Sequence, residues 1–186
     1  MERIEGRYML DTCAINRICD NDEDFLTLTR SLSCNFEYYI TDAQCEEIKR
    51  TISPRGNPFQ NDIVEKTRAE RALKLMDITL HLRPQILPRF ATLFPGGWPL
   101  DGSRDILPDG EDAAWKMYLD IRGTDGFSRH ENDAMIALTA IANGCSLVTN
   151  DNRLYKKVLL HFPSRSLWYP DFILKLNQDG LTTTLR

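Results

Sequence analysis

Short apolar runs alternate along this chain with segments whose apolar residues recur every three or four positions. Residues 7–11 (RYMLD) read as a short strand ending at Asp11, and a brief helix follows through Ile15 and Ile18. Residues 22–34 carry Phe25, Leu28 and Leu32 on one helical face until Asn35 breaks the pattern. Phe36 to Thr41 is an aromatic and β-branched run suited to a buried strand. Thr41 then reads as an N-cap, with Gln44 three residues on completing a capping box, and Cys45, Ile48 and Ile52 form the inner face of the helix it starts. Glu46 and Glu47 flank that face on opposite sides.

Residues 53–61 read as a loop, about 62–80 as a long helix carrying Ile63, Leu73, Met76 and Leu80, and 84–94 as a shorter helix. The proline- and glycine-rich stretch 95–110 is expected to be an extended loop or lid. Residues 111–122 return to a helical pattern with Ala114, Met117, Tyr118 and Ile121 apolar. Ser128 and Glu131 have the spacing of a second capping box, before a helix that places Ala134, Leu138 and Ile141 inward and stops at Gly144. Cys145 to Thr149 is a buried strand, Asn150 and Asp151 form its exit turn, and Leu154, Val158 and Phe162 pattern the next helix. Ser166 to Tyr169 is expected to be a last strand, and the tail beyond Phe172, Ile173 and Leu176 is expected to fray.

Strands separated by helices predict an α/β fold with a central parallel sheet and helices on both faces, in one domain spanning 1–186. Right-handed crossovers then bring Asp11, Thr41 and Asp151 to the carboxyl edge of the sheet, where α/β proteins place their sites. Four acids stand at or near chain reversals there: Asp11, Glu47, Asp133 and Asp151. Singly, each has a structural explanation. Asp11 and Asp151 suit N-caps, Asp133 suits the positive end of a helix, and Glu47 suits a solvated helix face. Gathered at one edge, four carboxylates repel one another unless a cation holds them, which predicts a divalent metal site, phosphodiester chemistry and, without metal, at least one raised carboxylate pKa.

Composition narrows the classes. The chain has 186 residues, 42% apolar and 27% charged, ordinary for one soluble globular domain. Its 23 basic and 27 acidic residues give a net charge of −4, so contact with nucleic acid would have to be local. Five cysteines without a CxxC spacing indicate neither a disulfide framework nor a zinc ribbon. The N-terminus is charged where a signal peptide needs an apolar run, no apolar stretch is long enough to span a bilayer, and a cytoplasmic location is expected. No P-loop pattern occurs, and Asp11-Thr12-Cys13 lacks the Asp-x-Asp of many α/β phosphatases.

Three stretches carry a resemblance: YMLDTCAI, ITDAQCEEIKR and NDAMIALTAIANGCSLVTNDNRL. An apolar strand ends in Asp-Thr. A second ends in Thr, with Glu and an aliphatic residue some six positions on. The third block runs Asp, an alanine-rich helix, Gly, an apolar strand and Thr-Asn-Asp. Together they resemble the PIN-domain ribonucleases, over about residues 7–50 and 130–160. The resemblance implies a three-layer α/β/α fold with an enlarged helical and loop insertion at about 53–110. It implies Asp11, Glu47, Asp133 and Asp151 as the catalytic acids, with Glu47 preferred to Glu46 because Ile48 follows it. Asp11 and Asp133 would be direct ligands of Mg²⁺ or Mn²⁺, and Glu47 and Asp151 would act through water or on the nucleophile. Thr12, Thr149 and Asn150 take supporting positions. The implied activity is metal-dependent ribonuclease cleavage, expected to be endonucleolytic. The implied partners are RNA and, as in the VapC-like toxins, a cognate antitoxin and a second copy of the chain. A binding module without activity is the alternative. Arg17, Lys49, Arg50 and Arg55 are candidates for substrate phosphates, and Trp98 and Trp115 for base stacking or for core packing. After Thr-Asn-Asp the chain departs from the family with Asn152, Arg153 and Leu154.

Overall fold

The computed structural model describes residues 6–34, 36–52, 62–82, 111–123 and 130–183. The loop expected at 53–61, the helix at 84–94 and the lid at 95–110 lie outside the described residues, as do Ser128, Arg55 and Trp98. Among the described residues the elements run β1 (Gly6–Leu10), α1 (Thr12–Asp20), α2 (Asp22–Ser31), β2 (Phe36–Thr41), α3 (Asp42–Ile52), α4 (Asp62–Ile78) and β3 (Leu80–Leu82). They continue with α5 (Glu111–Arg122), α6 (Glu131–Ala142), β4 (Ser146–Thr149), α7 (Asn152–His161), β5 (Ser166–Trp168) and α8 (Tyr169–Thr183).

The strands form one five-stranded parallel sheet in the order β3-β2-β1-β4-β5. β1 is central, so the chain turns one way to β2 and β3 and the other way to β4 and β5. The crevice between the ends of β1 and β4 is therefore a topological switch point. The period of two along each strand assigns side chains to faces. Tyr8, Leu10, Tyr38, Ile40 and Val148 pack with α1, α2, α3, α4 and α8. Met9, Tyr39 and Leu147 pack with α5, α6 and α7. Both faces are covered, which is why the strands read as continuous apolar runs.

The capping box at α3 forms as the spacing predicts. Thr41 N–H donates to Gln44 Oε1 at 2.9 Å, and Gln44 N–H donates to Thr41 Oγ1 at 3.3 Å. Gln44 does more than cap. Its buried Nε2 donates to the carbonyl of Leu10 at 2.6 Å, across from β2 to the last residue of β1. At the other predicted boundary, α6 ends at Ala142 and Gly144 takes the left-handed conformation, φ +67°, that stops it.

Several expectations need correction. The helix expected to reach residue 80 ends at Ile78, and Leu80 begins a short edge strand. Leu73 and Leu80 are exposed, and Ala72 and Leu75 make the buried contacts. Residues 22–34 divide into α2 and a short 3-10 turn, Leu32–Cys34. The tail is helical to Thr183, held by buried Phe172 and Leu176. The second capping box cannot be followed, since its Ser128 lies outside the described residues; α6 begins at Glu131, and His130 before it makes no side-chain cap bond. Among the described residues no helix is long and apolar enough to cross a membrane.

Replacing Gln44 by alanine would strand the Leu10 carbonyl and the Thr41 N–H in a buried site. A loss of roughly 1–3 kcal/mol is expected in equilibrium denaturation, since each unsatisfied buried group costs on that order. A Gln44→Ala protein as stable as wild type would show that these bonds do not hold α3 to β1.

Candidate active site

Asp11 is the first residue beyond β1. Its N–H still bonds to the Val148 carbonyl at 2.9 Å, so the backbone is fixed by the sheet before the side chain is placed. The carboxylate caps α1: Oδ1 accepts from the Thr12 N–H at 2.7 Å. Its other oxygen accepts from the Thr149 hydroxyl at 2.8 Å, at the end of β4. Asp11 is only 2% exposed. Burial pushes its pKa up to about 6, against the hydrogen bond from Thr149, and repulsion from Asp133 adds to the rise.

Thr149 couples two of the acids. Its hydroxyl donates to Asp11 and accepts the N–H of Asp151 at 2.9 Å. Asp151 caps α7, accepting from the N–H groups of Arg153 at 2.7 Å and Leu154 at 3.2 Å. Asn150 is half-buried in the turn between them. On the other side of Asp11, the Thr12 hydroxyl donates to Glu47 Oε2 at 3.2 Å. Glu46 instead pairs with Lys49 at 2.9 Å, so the structure separates the two glutamates that helix spacing left equivalent. A line of contacts thus runs from Glu47 through Thr12, Asp11 and Thr149 to Asp151.

Asp133 lies in the first turn of α6. Both partners reach the same oxygen: Arg153 Nη2 at 3.1 Å and His130 Nδ1 at 3.1 Å. The Cys13 thiol senses the cluster, being pushed up to about 11 by burial and by the charges of Asp11, Asp151 and Asp133. It is a neutral thiol at physiological pH, not a nucleophile.

The predicted raised carboxylate is therefore Asp11, with burial as the larger cause and crowding the lesser. The acids share one edge, but they do not form a finished cage. Among the described residues, no three His, Cys, Asp or Glu side chains stand close enough to hold a metal ion together. The donors are nonetheless all oxygen, which suits a hard cation, and a dication would offset the cost of ionising Asp11 in its buried site.

Two contacts escaped sequence reasoning. His130 and Asp133 are three apart, a spacing that signals a helix-terminal pair. Arg153 was visible only as a departure from the family pattern. Of the candidate substrate contacts, Arg17 is exposed on α1 and Lys49 is engaged by Glu46. The Arg50 side chain lies outside the described residues. Trp115 stacks on buried Tyr118 at 5.9 Å, with α5 packed against the sheet, which favours its core-packing role.

Residues 100–158 match the family model of the PIN domain, a span that takes in Asp133, Thr149, Asn150 and Asp151. That stretch is similar to a PIN domain. One solved structure shares the architecture. The protein PAE2754 from Pyrobaculum aerophilum aligns at 14% identity with a TM-score of 0.56, over 95% of this chain and 99% of that one. VapBC2 from Rickettsia felis, bound to a DNA fragment from their promoter, aligns at 16% identity and 0.49, over 87% and 96%. No curated protein matches the sequence. The three-layer α/β/α arrangement expected of a PIN domain is the one observed.

The raised pKa of Asp11 has a measurable consequence. The folded protein retains a proton that the unfolded chain releases between pH 3.8 and about 6. Stability from this group is complete below pH 3.8 and is lost as pH rises through about 6. In chelator at pH 8, Asp11→Asn should therefore exceed wild type in unfolding free energy, by at most roughly 3 kcal/mol. The gap should close below pH 4, on the order of the ordinary carboxylate pKa. Denaturant titrations across this range check it, and a mutant less stable at pH 8 than at pH 4 relative to wild type would contradict it.

Proposed function

We propose that this protein is a PIN-domain, divalent-cation-dependent ribonuclease, expected to cut internally, with Asp11, Glu47, Asp133 and Asp151 as its catalytic acids. The observation that carries the reading is the Thr149 hydroxyl bonded to both sides of the sheet crevice, with buried Asp11 on one side and Asp151 on the other. A buried carboxylate that is costly to ionise, at the switch point of a parallel sheet, is an arrangement suited to a cation rather than to structure alone.

Asp11 and Asp133 would hold the cation, Mg²⁺ or Mn²⁺, with Glu47 and Asp151 beside them. When bound, the cation would activate water and neutralise charge on the phosphate oxygens. The chain's own residues supply the rest. Thr12 and Thr149 fix the orientation of Glu47 and Asp11 through their hydroxyls. Glu47, exposed, is the carboxylate with the freest access to a solvent proton, which suits it to orient and deprotonate an attacking water. Arg17, Lys49 and Arg50 are proposed as phosphate contacts, for which Lys49 would have to exchange Glu46 for the substrate. RNA as substrate rests on the sequence resemblance. That resemblance also brings a cognate antitoxin and a second copy of this chain as partners, as in the VapC-like group.

Two observations favour a second reading, a PIN-fold binding module without activity: Asp133 is already compensated by Arg153, and no three ligands converge among the described residues. Incubation with a pool of structured RNA separates the two. Wild type with Mg²⁺ or Mn²⁺ should cleave, chelator should stop it, and Asp133→Asn should lose on the order of a hundredfold or more, the scale at which removing a catalytic group acts. Binding of the same RNA without cleavage under either metal would support the module. Cleavage indifferent to both chelator and mutation would refute the four-acid site.

A further inference from the structure

The Asp133 carboxylate meets a full positive charge: Arg153 reaches it at 3.1 Å. The hydrogen bonds described for the Asp11 and Asp151 carboxylates come instead from a hydroxyl and backbone N–H groups. Arg153 is carried on the first turn of α7, two residues beyond Asp151, and Asp133 on the first turn of α6. The guanidinium is therefore delivered to the site by the same turn that delivers one of the acids.

The other end of the guanidinium is loosely held. Nη1 lies 3.3 Å from the Ile121 carbonyl, near the end of α5, a long hydrogen bond. The side chain is 35% exposed, so it can leave toward water without crossing the core. His130 Nδ1, on the same Asp133 oxygen, keeps that carboxylate hydrogen-bonded after the arginine has gone.

We propose that Arg153 is a built-in counter-ion that takes the divalent cation's place at Asp133 and has to be displaced for the cation to bind there. This rests on the reading of Asp11 and Asp133 as cation ligands. Arg153 neutralises part of a crowded acidic edge while the site is empty, and it lowers the affinity for the ion that replaces it. A guanidinium is a singly charged donor that cannot enter a small octahedral shell, so the two cations exclude each other at this oxygen. The exchange makes occupancy depend on the free divalent-ion concentration, with a threshold set by the arginine.

Direct Mn²⁺ binding, followed by the loss of free-ion electron paramagnetic resonance signal, tests this without reference to cleavage. Wild type, Arg153→Gln and Lys156→Gln are compared. Lys156 is an exposed cation on the same helix, so its removal changes net charge equally while leaving Asp133 alone. Removing a charge a few ångströms from a dication should tighten binding at least about tenfold in Arg153→Gln and far less in Lys156→Gln. Equal tightening in both would make the effect one of net charge and overturn the exchange. Unchanged or weaker binding in Arg153→Gln, with wild type binding normally, would make Arg153 a positioning residue and overturn it while the metal site stands. Binding by none of the three proteins would overturn both the exchange and the metal reading. Thermal unfolding of each variant in chelator confirms that folded protein is being compared.

Discussion

Burial of the Asp11 carboxylate at the end of the central strand is the constraint around which the rest is organised. An ionised group loses hydration there, and the protein answers with three neutralising devices of limited strength: a backbone N–H, a threonine hydroxyl and the positive end of α1. They leave the pKa near 6, still raised. A carboxylate held this way is poorly satisfied by the protein alone, and the cost of keeping it is understandable if a cation completes its surroundings.

The scaffold makes that burial possible. β1 lies between β2 and β4, so its last residue has neighbours on both sides. Gln44 ties α3 back to the Leu10 carbonyl, immediately before Asp11. Thr149 ties β4 forward to the Asp11 carboxylate and to the Asp151 N–H. Thr12, the first residue of α1, and Thr149, the last of β4, therefore set the relative placement of Glu47, Asp11 and Asp151 through their hydroxyls. Geometry at the site follows from sheet register and helix caps, with little left to loops among these three acids. Asp133 differs. It comes from the first turn of α6 rather than from a strand end, and it is placed by the Arg153 ion pair and the His130 hydrogen bond.

Sequence patterns revealed the parts governed by local rules. The runs ending at Asp11, Thr41 and Thr149 are buried on both faces and read plainly as strands, and Gly144 and the Thr41–Gln44 box marked true helix boundaries. The third strand escaped because it is three residues long at the sheet edge, with Leu80 and His81 exposed, so burial gives it no pattern. The buried face of α4 was misassigned because its apolar residues are spread around the helix, and tertiary packing chose Ala72 and Leu75 over Leu73. The polar sequence beyond Leu176 predicts fraying, yet the helix that Phe172 and Leu176 anchor continues to Thr183. In the site, the four acids were legible as positions. Which of Glu46 and Glu47 faces it was legible only by resemblance, and the Arg153–Asp133 pair joins residues twenty apart on two helices, a contact that no local pattern encodes.

Crystals soaked in Mn²⁺ and measured for anomalous scattering give the most direct test of whether Asp11 is buried for the sake of a cation. The account predicts an anomalous peak at coordination distance, about 2.1–2.2 Å, from an Asp11 oxygen, with Asp133 as a second ligand and Arg153 turned away from it. A fully soaked crystal with no peak at the ends of β1 and β4, or with Asp11 still bonded only to Thr12 and Thr149, would contradict it.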